Sequence, residues 1–343
     1  MTTVAVSPAP AMQDEGAPPM GAFALPAPAE MARRVAGWLG TSRVARHCVS
    51  VLRRVALMGR TDPVDAAIFE AGAAPAVWAR LHPRDNLSEK RAFAGLQFWD
   101  PAERLALLAA IEAHDGPEPF CFVDAGANVG LYSLAAIAGA SRYGKRLVVV
   151  AIEPDPETAA RLRFNLASAA SATAQTTIIE AALSDTAGEL TLSAAGLNRG
   201  EVCVAAAGTG RRVPALPLLA AVRRAGLAKI DALKIDIEGM EACVLAAFLA
   251  EAPETMHPAL VLMEAPLRKR EKAAGGGVQT DALALLDAAG YRLACRTRLN
   301  AILTRAPDPI SQPGHNDDTT GAARTGRQSA GTGSAQAGAD LGG

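Results

Sequence analysis

Downstream of residue 118 the apolar positions change period. Short runs rich in Val, Ile and Leu alternate with longer stretches in which apolar residues recur three and four apart. That alternation specifies an α/β fold, a mostly parallel sheet covered by helices. The runs predict strands over 120–124, 146–153, 176–182, 230–236 and 258–264. The stretches predict helices over 130–140, 156–170, 214–226, 239–250 and 279–289. The closing GYRLACRTRLNAILTRA predicts two strands joined by a turn, the only antiparallel hairpin expected near the end.

Upstream the period is helical. MARRVAGWLGTSRVARHCVSVLRRVALMG sets apolar residues three and four apart beside arginines, and FWDPAERLALLAAIEA (98–113) predicts a further helix, with Asp100 placed to cap it and Pro101 at its first position. Residues 29–118 thus form a helical N-terminal extension to a domain over 119–306. Arg33, Arg34, Arg43, Arg46, Arg53 and Arg54 offer weak surface contact to an acidic partner or a membrane, and such a run is ordinarily a solvated helix face. Residues 1–28 are so dense in proline that a disordered head is expected, and 307–343 have too few large apolar side chains to offset the entropy of ordering, which predicts a disordered tail.

Composition narrows the class. The chain has 343 residues, half of them hydrophobic, enough for a sizeable core. Its 34 basic and 35 acidic residues nearly cancel, so no chain-wide field recruits nucleic acid, and no such partner is expected. Cys48, Cys121, Cys203, Cys243 and Cys295 are scattered singly, which fits reduced thiols in a cytoplasmic protein. No stretch has the apolar length of a membrane span or the pattern of a signal peptide.

The chemistry gathers at strand ends. In FVDAGANVGLYS a strand ends at Asp124, the glycines of the Gly126, Ala127, Asn128, Gly130 loop permit a tight turn, and a helix begins. The spacing is not the G-x-G-x-x-G of dinucleotide sites, which weakens a nicotinamide-dependent oxidoreductase. An acid directly before the turn is a poor neighbour for a pyrophosphate and a good one for an ammonium group. Glu153, ending the next strand, is placed to accept two hydrogen bonds from a ribose diol. Asp185, in ALSDTAG, either receives an adenine amino group or serves as ordinary turn chemistry. DALKIDIEGMEACVL ends the fourth strand, with Lys234 and Asp236 on one side, then Glu238 and Glu241, and Glu264 closes the fifth. Four roles are open to this group: a general base, the oxygen ligands of a divalent cation, the positioning of a sulfonium, or a purely structural ion network. If a metal binds, Asp236 and Glu238 are the ligands expected, and oxygen donors favour magnesium over zinc.

Taken together, FVDAGANVGLYS, VVAIEPDPETAARLRFNLA, AALSDTAG and DALKIDIEGMEACVL resemble the FkbM family of methyltransferases over residues 98–305. The resemblance implies a class I methyltransferase fold, Rossmann-like, with a seven-stranded sheet ordered 3-2-1-4-5-7-6 and its final strand antiparallel. It also implies methyl transfer from S-adenosylmethionine to a hydroxyl of a sugar, glycan or natural product. By position, Asp124, Gly126, Ala127, Asn128 and Gly130 would hold the methionine part and Glu153 the ribose. Lys234, Asp236, Glu238 and Glu264 would line the transfer site, with Asp236 first choice for base or cation ligand. The sequence departs from the family at VPALPLL, where Pro217 replaces a Leu-Asp pair, which weakens a helix cap. A non-catalytic module that keeps the cofactor fold is the remaining alternative. The acceptor pocket, formed by the extension and by residues 194–213, has no readable chemistry, so neither the acceptor's identity nor the oligomeric state is legible.

Overall fold

Phe120–Ala125 (β3) is buried at every position. A strand buried on both faces needs partners on both edges and helices above and below. The computed structural model describes residues 17–60, 63–194, 202–204, 210–265 and 281–305. In chain order its elements begin with α1 (Ala27–Trp38), α2 (Arg43–Ala56), β1 (Val64–Ala71), β2 (Ala74–Leu81), α3 (Leu87–Ala94) and α4 (Pro101–Glu112). After β3 come α5 (Leu131–Tyr143), β4 (Leu147–Ile152), α6 (Pro156–Ser168) and β5 (Ala174–Ile179). Then follow β6 (Ala182–Leu183), β7 (Gly188–Ala194), β8 (Val202–Val204), β9 (Arg211–Leu216), α7 (Leu218–Arg224) and β10 (Ala232–Ile235). The series closes with α8 (Glu241–Glu251), β11 (Leu260–Glu264), α9 (Ala282–Ala288), β12 (Arg292–Arg296) and β13 (Asn300–Thr304).

Seven strands form the main sheet in the order β12-β13-β11-β10-β3-β4-β5. The five from β5 to β11 pair in parallel, and β13 runs antiparallel between β11 and β12. Numbered by their own sequence, from the β5 edge they read 3-2-1-4-5-7-6. Side chains alternate across the sheet: Phe122, Val149 and Ala151 join the core under α4, α5 and α6, while Val123, Val150 and Ile152 join the core under α7, α8 and α9.

The helical reading of 29–118 needs correction. Val64–Ala71 and Ala74–Leu81 pair as an antiparallel hairpin, which packs Val64, Ala66, Val77, Ala79 and Leu81 into the α5 side of the core. Alanines fill much of VDAAIFEAGAAPAVWARL, so local preference points to helix while burial against α5 selects strands. The head is corrected too, because residues 17–28 are placed. The guanidinium of Arg80 donates to both carboxylate oxygens of Asp65 at 2.8 and 2.9 Å and to the carbonyls of Pro18 and Pro19, each at 2.8 Å. Asp65 also accepts the Gly21 and Phe23 amides. Residues 1–16 and 306–343 lie outside the described residues.

A third correction concerns 176–182 and 214–226. β5 stops at Ile179, and β6, β7, β8 and β9 form a second, four-stranded sheet. Residues 214–216 belong to β9, and α7 begins only after Pro217, which sits at its N-cap without a side-chain hydrogen bond. Among the described residues no helix is long and apolar enough to cross a membrane.

Candidate active site

The turn after β3 is built around contacts that only glycine allows. The amides of Gly126 and Ala127 both donate to the Ile152 carbonyl, at 3.0 and 2.9 Å, which folds the chain back over β4. Gly126 has φ +76°, and a Cβ there would stand 1.9 Å from the carbonyl oxygen of Asp236. At the other end Gly130, φ +88°, precedes α5, and its Cβ would meet Leu162 at 2.6 Å. Asn128 also takes positive φ, +52°. Its Oδ1 accepts the Val129 amide and the Asn86 side chain, at 2.8 and 2.9 Å, so residues just before α3 are tied to the loop.

Glu153 stands beside this turn with each carboxylate oxygen holding one backbone amide: Asn128 at 2.9 Å on Oε2, Asp155 at 3.0 Å on Oε1. Burial dominates and pushes its carboxyl up to about 7, against the pull of those two amides. A carboxylate has about four acceptor sites, so further positions remain for hydroxyl donors from the pocket.

Asp124 does something else than expected. It is 1 % exposed and lies behind the pocket wall, with Oδ2 accepting the amide and the hydroxyl of Ser133 at 3.1 and 2.6 Å. Gly130, at the N-cap of α5, has no side chain to cap the helix. Asp124 supplies that acceptor from the neighbouring strand, at the helix end where negative charge is favoured. Burial raises its carboxyl, with Ser133 and Lys234 opposing.

Across the sheet Lys234 pairs in register with Asp124. Its side chain is 3 % exposed, and Nζ donates to Asp236 Oδ2 at 3.0 Å and sits 5.3 Å from the centre of the Tyr132 ring. Burial by itself would lower this ammonium; the charges of Asp236, Asp124 and Asp100 reverse that and hold it above its ordinary value. Beyond Asp236, which is 39 % exposed on its side chain, Glu238 takes φ +55°. Glu241 turns back, its Oε1 accepting the amides of Ile237 and Gly239 at 3.0 and 3.3 Å.

A cavity of about 380 Å³ joins these features, within the ~300–1,000 Å³ usual for ligand sites. Its walls bring together Gly126, Ala127, Asn128, Glu153, Lys234, Asp236, Glu238 and Glu264. Asp124, Gly130 and Asp185 are not in them. Asp185 stands on an exposed turn, because the Ser184 hydroxyl hooks onto the Thr186 carbonyl, and the wall at that end is Ala181, Ala182, Leu183 and Leu192. The acids able to share one cation also differ from expectation: Asp236, Glu241 and Glu264 have ligand atoms within 4.8 Å of one another, and Glu238 is not among them.

Several wall residues had no sequence signal. Arg91 faces the cavity from α3 with Leu87 and Ser88, one helical turn away, and Arg298 on the β12–β13 connection and Asn300 at the start of β13 close it. Asp100 was expected to cap α4. It occupies that position with φ +36° and makes no capping bond; Oδ2 instead accepts the Tyr132 hydroxyl at 3.1 Å. Burial raises its carboxyl, Glu103 and Asp236 add to that, and Lys234 and Tyr132 oppose it. A non-glycine residue held in the left-handed region costs on the order of 1–3 kcal/mol and clusters at functional sites.

A family model described as the methyltransferase FkbM domain matches residues 124–293. A search of curated proteins returns no match. Among solved structures, methyltransferase FkbM from Methylobacillus flagellatus KT is 18% identical over 64% of this chain and 54% of its own, with a TM-score of 0.31. Precorrin-6y C5,15-methyltransferase from Geobacter metallireducens GS-15 is 13% identical over 60% of this chain and 87% of its own, with a TM-score of 0.33. M. jannaschii TYW2, solved in complex with AdoMet, is 11% identical over 73% and 90%, with a TM-score of 0.31. The matched segment contains the glycine turn, Glu153, the Lys234–Glu241 edge and Glu264, and through it the chain belongs to the FkbM family of S-adenosylmethionine-dependent methyltransferases.

Proposed function

We propose that this chain methylates a hydroxyl oxygen on a sugar, glycan or natural product. The observation that carries the reading is the meeting, in one cavity, of an adenosine-type half (Gly126–Asn128, Glu153, Leu183) with a carboxylate-rich half (Asp100, Asp236, Glu238, Glu264) around buried Lys234.

The residues present suit the donor. Glu153 has acceptor positions left for the ribose hydroxyls, and the apolar side chains of Ala181, Ala182 and Leu183 suit an adenine ring. Arg91 makes no ion pair with a described residue and lies on the side of the cavity tied to Asn128 through Asn86, where it suits the donor's carboxylate. S-adenosylmethionine supplies an electrophilic methyl group on a sulfonium centre.

The chain's own part is to position an alcohol and take its proton. Asp236 lines the transfer point with one oxygen held by Lys234. Asp100 is a second candidate for the proton, favoured by its backbone strain, its aromatic neighbours Trp99 and Tyr132, and its raised carboxyl. Radiolabelled methyl transfer to a panel of glycosides tests the reading, with matched amine and thiol analogues as controls. Hydroxyl acceptors should be preferred, and Asn at the true base should lower kcat about 10²–10⁴-fold while donor binding persists. Full transfer by both Asp236→Asn and Asp100→Asn would remove general-base catalysis from the proposal. A magnesium ion, if used, would take Asp236, Glu241 and Glu264 as ligands; loss of transfer in EDTA and its recovery with magnesium would assign it.

A further inference from the structure

The exposed large apolar side chains crowd into one part of this protein. On α1, Met31, Val35 and Trp38 are 64 %, 42 % and 91 % exposed, at spacing i, i+4, i+7. On α2, Val44, Val51 and Val55 repeat the pattern seven and four apart, and Met58 continues it past the helix end. Each set forms one stripe along its helix. Neither stripe is the packing face, which is marked by Ala36 and Val49, joined to Ala94 in a small buried cluster.

Charge accompanies the stripes. Between residues 27 and 60 there are seven arginines and one acid, Glu30. Glu30 is taken by Arg33 and Arg34. Arg43, Arg46 and Arg54 of α2 are exposed and make no ion pair with a described residue. An ordinary solvated helix face would not pair such cations with a fully displayed tryptophan. The combination is that of a helix lying in a membrane interface, apolar face down and arginines at the headgroups. At 12 and 14 residues, α1 and α2 are also too short to span a bilayer core of about 30 Å. A second copy of the chain is a poor occupant, since a two-fold contact here would set the arginines of one copy against those of the other.

We propose that α1 and α2 dock this enzyme on an anionic bilayer surface, with both apolar stripes buried at the acyl boundary. The inference is independent of the acceptor's identity and of the catalytic assignments. The experiment is flotation of the purified full chain with phosphatidylcholine vesicles, with and without about a third phosphatidylglycerol, each at low and high salt.

Binding is expected on the anionic vesicles, weakened at least tenfold on neutral ones and by salt within the reach of charge screening. Each arginine near such a surface contributes roughly fivefold, so Arg43→Gln, Arg46→Gln and Arg54→Gln combined should lose about 100-fold. Trp38→Ser should lose binding and abolish the blue shift of tryptophan fluorescence on vesicle addition. None of these positions touches the cavity, so an unchanged thermal shift with S-adenosylmethionine certifies that the variants are folded. Absence of binding to either vesicle, equal binding to both, or wild-type binding by the Trp38→Ser and triple-glutamine variants would each overturn the proposal. So would self-association without lipid that Trp38→Ser abolishes, because the stripes would then belong to a dimer.

Discussion

Consider titrating the protein from pH 8.5 down to pH 5.5 in the presence of S-adenosylmethionine. Glu153 is buried beside the glycine turn with its carboxyl pushed up to about 7 from an ordinary 4.5. Ribose hydroxyls need the ionised form as acceptor, so donor affinity should fall about tenfold per pH unit below neutrality, or roughly 30-fold at pH 5.5. At pH 7 about half the free protein carries this proton, and donor binding should expel about half a proton per site. The folded state without donor behaves oppositely. Between pH 4.5 and about 7 it holds a proton that the unfolded chain has given up, so stability falls as pH rises through this window. The gap in carboxyl strength corresponds to ~3 kcal/mol at about 1.4 kcal/mol per unit. Affinity and stability should therefore move against each other. Calorimetry in two buffers of different ionisation heat measures the released proton, and urea unfolding at each pH measures the stability. Glu153→Gln isolates the group, and it should bind donor weakly with the pH dependence removed. A wild-type affinity that stays level from pH 5.5 to 8.5 would refute the assignment of Glu153 to the ribose.

Three further outcomes follow from the geometry. Gly126→Ala places a Cβ against the Asp236 carbonyl at positive φ and should destabilise by on the order of 3 kcal/mol, read by chemical denaturation, with donor binding lost first. Arg80→Ala leaves Asp65 buried without its cation and should cost about 3–5 kcal/mol. Burial pushes the Asp65 carboxyl up, but Arg80 and the Phe23 and Gly21 amides hold it below its ordinary value. The stability it lends is thus present above the ordinary carboxylate range and disappears as pH falls through the depressed value, and acid unfolding curves of the variant should be flatter there. Arg91→Gln should weaken S-adenosylmethionine about tenfold while leaving 5′-methylthioadenosine, which has no carboxylate, unchanged; equal losses for both would remove Arg91 from the donor site.

The sheet was legible because its strands are buried on both faces and β-rich runs separated by helical period admit one architecture. The glycine turn and Glu153 were legible because spacing and strand ends expose them in one dimension. What escaped depends on three. Asp124 and Asp236 read alike as acids at strand ends, and only packing shows that one caps α5 from within while the other opens to the cavity. Asp100 precedes a proline as any capping residue would, and its left-handed backbone, which turns the carboxylate to Tyr132, has no signature in the letters. The β1–β2 hairpin is written in alanine, which favours helix until a neighbouring surface chooses otherwise. Arg91 reaches the cavity from the stretch read only as a helical extension, and Arg298 from the turn joining the last two strands.

Asn165, on α6, is wholly buried and reaches in two directions. Its Oδ1 accepts the Arg80 amide at 2.8 Å, and its Nδ2 donates to the Val129 carbonyl at 3.0 Å. One amide group therefore rivets the hairpin upstream of the matched segment to the glycine turn inside it. Trimming the chain to residues 124–293 would sever that rivet, strip the outer face of α5 and strand a polar side chain in an apolar interior. The stretch defined by kinship is therefore shorter than the packed unit it belongs to, which reaches back to Pro18 and Pro19 through their bonds to Arg80.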